Sequence, residues 1–448
     1  MNTSASQYRY FLFLAVCGLG YMAVLPISHT IALRNTLLAL LLVASVWTWL
    51  YKNWATRTTN RSMWPWVILC WAAYLLVFPF FSVDPPTAWT SLLHQWGKGL
   101  MAMIAGATMA WWLAKRQIGS IFTLSLAAST SILLYVLMFT WKATSTATLP
   151  WGYTGVEEHH GILGYAAGQA TLLLAAVWIS SRGWQRKLAF SLLLLTILSM
   201  VLIKSRGGLA FSLLAVLLIF AASLRQASSD QRKLIGLGFS ALMVIGASAF
   251  ILASQTNSRW QGVVDRLNAG WMGNALQIHC EGTASIEKEI KEKFGKGKDA
   301  EIIQNSIIDG DGIRVIMFRS GFNLLLDHPW GLDGSRSAFQ KRLLAICTDP
   351  VGNMSHSHNG WLDTSLAIGL PGALLYLLVF VYFIKTGWQD LSTHSLANPW
   401  ALVLIATPLF WAMRAMADSC FRDHMLEMQG FLLAYAAVAL ARQRTQGN

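Results

Sequence analysis

Apolar runs long enough to cross a bilayer recur along nearly the whole chain, and no soluble fold can bury so many. They fall at about 10–27, 30–50, 64–82, 88–114, 119–140, 160–180, 187–203, 207–224, 233–253, 358–384, 398–416 and 426–441. Charged residues make up only 12% of the 448 residues, against roughly 25% in a soluble domain. Mean hydropathy is +0.47. The pattern predicts an all-α polytopic membrane protein of about twelve transmembrane helices. Nine of them lie in 1–253, a large loop follows at 254–357, and three more lie in 358–448. Trp47, Trp49, Trp64, Trp66, Trp111 and Trp112 fall at span ends, where aromatic rings anchor at the interface. The run after Arg9 lacks a small-residue cleavage site and a second run follows at once, so it reads as a span and not as a cleavable signal.

Charge placement sets the expected orientation. With the N-terminus inside, inner segments hold fifteen Lys and Arg and the short outer loops hold five. Basic residues collect on the cytoplasmic side, so both termini are expected there and the long loop is expected to face outward. The net charge of +13 is then topological signal, and with no basic and aromatic stripe on a soluble domain a nucleic-acid partner is excluded.

The outer segments carry most of the reactive groups. Asp309–Ser335 and Ser355–Gly372 hold Arg314, Arg319, His328, His356 and His358. The stretch 310–327 reads as an amphipathic helix stopped by His328-Pro329. Arg314 and Arg319 are five residues apart on it, roughly 140° around the axis, so one is expected to contact substrate while the other serves the fold. Residues 285–294 read as a second amphipathic helix with a solvated charged face. His356 and His358 would point opposite ways in an extended segment.

Several polar residues keep two readings. Lys204-Ser205-Arg206, before Gly207-Gly208, is a topological turn or an anion contact. Lys98 inside a span is a structural or snorkelling cation or a substrate contact. His159 and His160, after Glu157-Glu158, are interface residues or sugar contacts, because adjacent side chains rarely converge on one metal ion. Asp84 and Asp418 are lesser candidates for substrate contact. No metal-ligand spacing, Walker A, dinucleotide fingerprint or nucleophile elbow is present, so neither metal nor cofactor is expected.

Three motifs in order point further: Ser205-Arg206, then Arg314 with His328-Pro329-Trp330-Gly331, then His358-Asn359 followed by Gly369-Leu370-Pro371-Gly372. Together they resemble the O-antigen ligase / O-antigen polymerase superfamily, and the last looks most like the ligase branch. The resemblance runs from about the sixth span to the tenth. It implies a GT-C-like glycosyltransferase of the bacterial inner membrane with a large periplasmic loop and no cofactor. Its expected donor is undecaprenyl-diphosphate-linked O-antigen and its acceptor lipid A–core oligosaccharide, both presented by membrane lipids. The resemblance also implies that His358 is catalytic, that Arg206 and Arg314 bind the donor diphosphate, and that the reaction is metal-independent. Arg319, His356 and Asn359 remain possible substrate contacts. A periplasm is oxidising, which makes Cys280 and Cys347 a disulfide candidate. Sister activities on the same scaffold are O-antigen polymerase and protein O-oligosaccharyltransferase. A lipid-linked glycan transporter would instead show repeats or broken helices with charges near the midplane.

Overall fold

The computed structural model describes residues 5–51, 64–114, 116–155, 160–224, 227–256, 263–295, 298–351, 354–393 and 398–444. Among them the regular structure is helical throughout, with no strand. In chain order the first helices are α1 (Ala5–Val24), α2 (Ile31–Tyr51), α3 (Trp64–Val77), α4 (Pro85–Ser91), α5 (Gly97–Leu113), α6 (Ile121–Thr146), α7 (His160–Ser180), α8 (Gly183–Leu202), α9 (Arg206–Leu224) and α10 (Ser229–Thr256). Six helices follow before the chain returns to long apolar runs: α11 (Val263–Ala269), α12 (Ala275–Glu281), α13 (Glu287–Phe294), α14 (Lys298–Asp309), α15 (Asp311–Asp327) and α16 (Ala338–Ile346). The last three are α17 (Gly360–Thr393), α18 (Pro399–Ala415) and α19 (Asp423–Arg444).

Each apolar range read from the sequence overlaps helical structure, though not every range is a single helix. Among the described residues, seven helices are long and apolar enough to cross a membrane, and three shorter apolar ones accompany them. The chain is therefore a polytopic α-helical membrane protein. The range 88–114 is not one helix, because a π-helical stretch at Leu92–Trp96 joins α4 to α5. At the centre of the bundle α7 and α19 are almost wholly buried, α19 lies along α5, and α18 packs on α7, α9, α17 and α19.

The segment α11–α16 builds a second hydrophobic core around Ile278, Ile290, Ile307, Ile316, Leu324, Phe339 and Leu343, closed by Leu362 and Leu366 of α17. Cys280 and Cys347 are disulfide-bonded across it, with Cα atoms 5.0 Å apart. Beside the bridge, the Val351 N–H donates to the His279 carbonyl at 2.7 Å.

One joint ties that segment to the bundle. Gly369, inside α17, has φ 78° and ψ 163°, a conformation open essentially to glycine alone. Pro371 has no N–H to give to Ala367, four residues back, and the Ala367 carbonyl accepts from the Gly334 N–H at 2.9 Å instead. Leu366 accepts from Leu332 N–H at 2.8 Å, and Leu370 N–H donates to Pro329 at 2.8 Å. Ile368 takes its bond from the Tyr74 hydroxyl at 2.6 Å. The backbone groups freed by the break are thus satisfied by the loop after α15 and by Tyr74 of α3, as an apolar surrounding demands.

Candidate active site

The histidine segment is held from both ends. Asn359 caps α17, its Oδ1 accepting from Leu362 N–H at 3.0 Å, a typical N-cap bond. Its Nδ2 donates to the Met416 carbonyl at 3.3 Å, and Gly360 N–H donates to the Asp418 carbonyl at 3.1 Å. Two residues before the cap, Ser357 N–H donates to Asp363 Oδ1 at 2.8 Å. The turn between α18 and α19 is therefore sewn to the start of α17. Between these bonds His358 takes φ 57°, the left-handed region that a bulky residue enters only under constraint.

That twist corrects the expectation that the two histidines diverge. Their ring centroids are 4.4 Å apart, because a left-handed residue does not alternate sides as a strand does. Both face Asp418: His358 Nδ1 lies 3.5 Å and His356 Nε2 3.8 Å from its Oδ1. The first distance is longer than a hydrogen bond, and His358 Nδ1 is buried with no hydrogen-bond partner among the described residues. Asp418 Oδ2 accepts from the Tyr165 hydroxyl at 2.6 Å and from Arg414 Nη2 at 3.1 Å. Burial opposes the charge on Asp418, but the facing His358, Arg414 and Tyr165 hold its carboxyl well below the usual range. His356 is pushed down to about 3, first by burial and then by the positive charge of Arg422. It is neutral at any ordinary pH.

Arg206 enters from α9. The end of α8 is a Schellman motif, with Ser205 N–H donating to Met200 and Lys204 N–H to Val201, both at 3.0 Å. Lys204 takes the left-handed position at φ 58°, which is commonly glycine. Its place there is structural. The motif starts α9 at Arg206, whose Nη2 donates to Asp311 Oδ1 at 3.0 Å. Arg266 holds the other oxygen of Asp311 at 3.2 Å. Burial raises the Asp311 pKa, but Arg206, Arg266 and Arg314 outweigh it and leave the carboxyl low. The next residue, Gly207, lies so close to Arg414 that a Cβ there would sit 1.6 Å from Nη1. Arg206 and the Arg414–Asp418 pair thus share one neighbourhood.

The two arginines of α15 separate. Arg319 donates to the carbonyls of Gly270, Met272 and Gly273 at 3.0, 2.9 and 2.6 Å, closing the end of α11. Arg314 is exposed and makes no hydrogen bond or ion pair among the described residues, yet its charge reaches both Asp311 and His356. Arg206, Arg314, His356, His358, Asn359 and Asp418 are therefore brought together. Asp84 is not: it caps α4 by accepting from Thr87 N–H at 3.2 Å. Lys98 donates to Asn35 at 3.2 Å, and no bond joins it to the histidines among the described residues. His159 lies outside the described residues, and of His160 the backbone alone is described, opening α7.

Some members of the site are invisible to motif reading. Arg414 and Asp418 are spaced i,i+4 at the end of an apolar helix, a signal that a sequence can show, whereas Tyr165, Arg266 and Asp311 carry none. His356, His358 and Asp418 each offer one ligand atom within 4.8 Å of one another, a grouping that spacing along the chain did not reveal. Asp418 is already committed to Tyr165 and Arg414, and Arg314 and Arg422 add positive potential at His356. A divalent cation meets repulsion there, and an anion meets attraction.

Chemically, the cluster can orient an imidazole, hold a phosphate-like anion and take one proton. No curated protein matches the chain. Residues 190–377 match the O-antigen ligase family, a stretch that includes Arg206, Asp311, Arg314, His356 and His358 and stops before Asp418. That match, laid over this site in an α-helical membrane bundle, gives the chain an O-antigen ligase family domain over residues 190–377.

Proposed function

We propose that the protein is an O-antigen ligase, transferring a polysaccharide from undecaprenyl diphosphate to the outer-core sugar of lipid A–core oligosaccharide. The site would lie at the periplasmic face of the inner membrane, with both termini cytoplasmic. The observation that carries this reading is His358 facing Asp418 beside Arg314, a cation with no partner among the described residues.

The geometry supports general-base chemistry at His358. The Asp418 carboxylate, 3.5 Å from His358 Nδ1, favours the tautomer that carries its proton there and leaves Nε2 as the base. Nε2 rests 3.0 Å from Met354 Sδ, so the acceptor hydroxyl displaces that thioether to reach it. As His358 takes the hydroxyl proton, the oxygen forms a bond to the anomeric carbon of the donor sugar. The bond from that carbon to the diphosphate breaks, and the diphosphate leaves with the electron pair. Arg206 and Arg314 stabilise its growing charge with planar donors that stay protonated. Displacement in one step inverts the anomeric configuration, and the surrounding arginines favour a reaction without a metal ion.

Acceptor choice separates the ligase from its sister activities. Purified protein in lipid nanodiscs, given an undecaprenyl-diphosphate-linked glycan, should glycosylate lipid A–core. Transfer only to a second lipid-linked repeat would make it a polymerase, and transfer only to a pilin peptide a protein O-oligosaccharyltransferase. Passage of labelled lipid-linked glycan across proteoliposomes without acceptor would make it a transporter.

A further inference from the structure

Helix α15 buries Ile313, Ile316, Met317, Leu324 and Leu325 in the second core, and its exposed side carries an apolar stripe alongside Asn323 and Asp327. Phe318, Phe322 and Leu326 are 36, 47 and 65% exposed, and Trp330, just past the helix end, is 64% exposed. The four residues follow Arg314 at steps of four. Such steps advance about 40° per pair on an α-helix, so the stripe winds slowly away from the arginine along about 18 Å of axis between Arg314 and Leu326. The rings of Phe318 and Phe322 stack with centroids 6.4 Å apart.

An exposed apolar stripe on an extramembrane helix is costly in water and marks an interaction surface. Both of its ends identify the occupant. At one end the Trp330 backbone meets the α17 break, where a Cβ on Gly369 would lie 2.5 Å from the Trp330 carbonyl. Beyond that break Leu370, Leu374, Leu378 and Val381 of α17 are exposed apolar residues on a membrane-crossing helix. At the other end stands Arg314, within electrostatic reach of His356. The stripe is therefore a continuous apolar path from a lipid-facing helix to a cation in the candidate site.

We propose that Phe318, Phe322, Leu326 and Trp330 seat the polyprenyl chain of the donor, laid between the bilayer face of α17 and a diphosphate held at Arg314. This rests on the reading above that the donor is a polyprenyl diphosphate. Its amphiphilic form matches the site in order: an anionic head for Arg314, then a hydrocarbon chain for the aromatic rings, then lipid. Burying two phenylalanines under a hydrocarbon chain supports about a tenfold gain in affinity. The seat also fixes the direction in which the glycan leaves the diphosphate, away from the bilayer and toward His358.

The test is binding of undecaprenyl diphosphate and of geranyl diphosphate to the full chain in nanodiscs. Replacing Phe318→Ser together with Phe322→Ser should weaken undecaprenyl diphosphate about tenfold and geranyl diphosphate by less than about twofold. Phe318→Leu with Phe322→Leu, which restores apolar contact, should recover the long-chain affinity. Equal weakening of both probes, or unchanged affinity for the long one, overturns the seat while leaving the diphosphate site standing. A stripe that only rests on the bilayer gives that second result. Failure of the unmutated protein to bind either probe overturns the donor assignment itself, and the seat with it.

Discussion

Gly331 and Gly369 lie against each other where each lacks a side chain: a Cβ on Gly331 would fall 2.4 Å from the Gly369 nitrogen. Both have positive φ, 91° and 78°. This contact closes the joint between the loop after α15 and the break in α17, and so sets Arg314 relative to His358. Replacing Gly369→Ala should cost about 1–3 kcal/mol from backbone conformation alone, with the clash against Trp330 added. Thermal unfolding in detergent would report the loss, and the Gly331→Ala, Gly369→Ala double change should cost less than the sum of the two, since they disturb one contact.

The left-handed backbone at His358 governs how its role is best tested. Asn tolerates that conformation far better than Ala, which is penalised there by roughly 1–2 kcal/mol. His358→Asn should therefore keep the melting temperature of the unmutated protein and lower transfer by about 10²–10⁴-fold, the usual worth of a positioned base. His358→Ala should lose the same activity and some stability as well. A His358→Asn enzyme with full turnover would remove the base assignment.

For Arg314 and Arg319, opposite outcomes are expected. Arg314→Ala should leave unfolding unchanged, because the side chain supports nothing in the fold, and should raise the donor KM. Arg319→Ala deletes three bonds to backbone carbonyls, each hydrogen bond from a charged donor being worth about 1.5–3 kcal/mol. It should lower the melting temperature, with donor KM little changed. Melting curves and donor titrations on the two variants decide the matter.

Acid sensitivity should trace in part to His356. Its folded-state pKa lies at about 3 against an ordinary value of 6.5. As pH falls from 6.5 toward 3 the unfolded chain binds a proton that the folded chain refuses, so stability falls across that window and is fully present above it. His356→Gln, neutral throughout, should flatten the pH dependence of the melting temperature between pH 6.5 and 4. Parallel curves for the two proteins would show that His356 is not buried as described.

The helices were legible because a bilayer leaves its mark locally: each span is a continuous apolar run, whatever its neighbours. The motif residues were legible too, although not all for their chemistry. Pro329, Gly331, Gly369 and Pro371 build a backbone joint, and only the structure separates them from Arg314 and His358. The arrangement about Asp418 could not be read in advance. Tyr165 lies 253 residues before it, and the convergence of His356 with His358 depends on a single left-handed residue that no local pattern announces. In the same way, two arginines on one helix narrowed the choice without making it. The carbonyls around Gly270 decide which of them is free.

The Cys280–Cys347 bridge ties the histidine segment to its surroundings in a further sense. A pair of thiols 67 positions apart closes only where an oxidant reaches them. Until it closes, α12 and the end of α16 are held together by packing alone. A copy whose two sulfurs stay reduced carries the segment before His356 unfastened at Cys347.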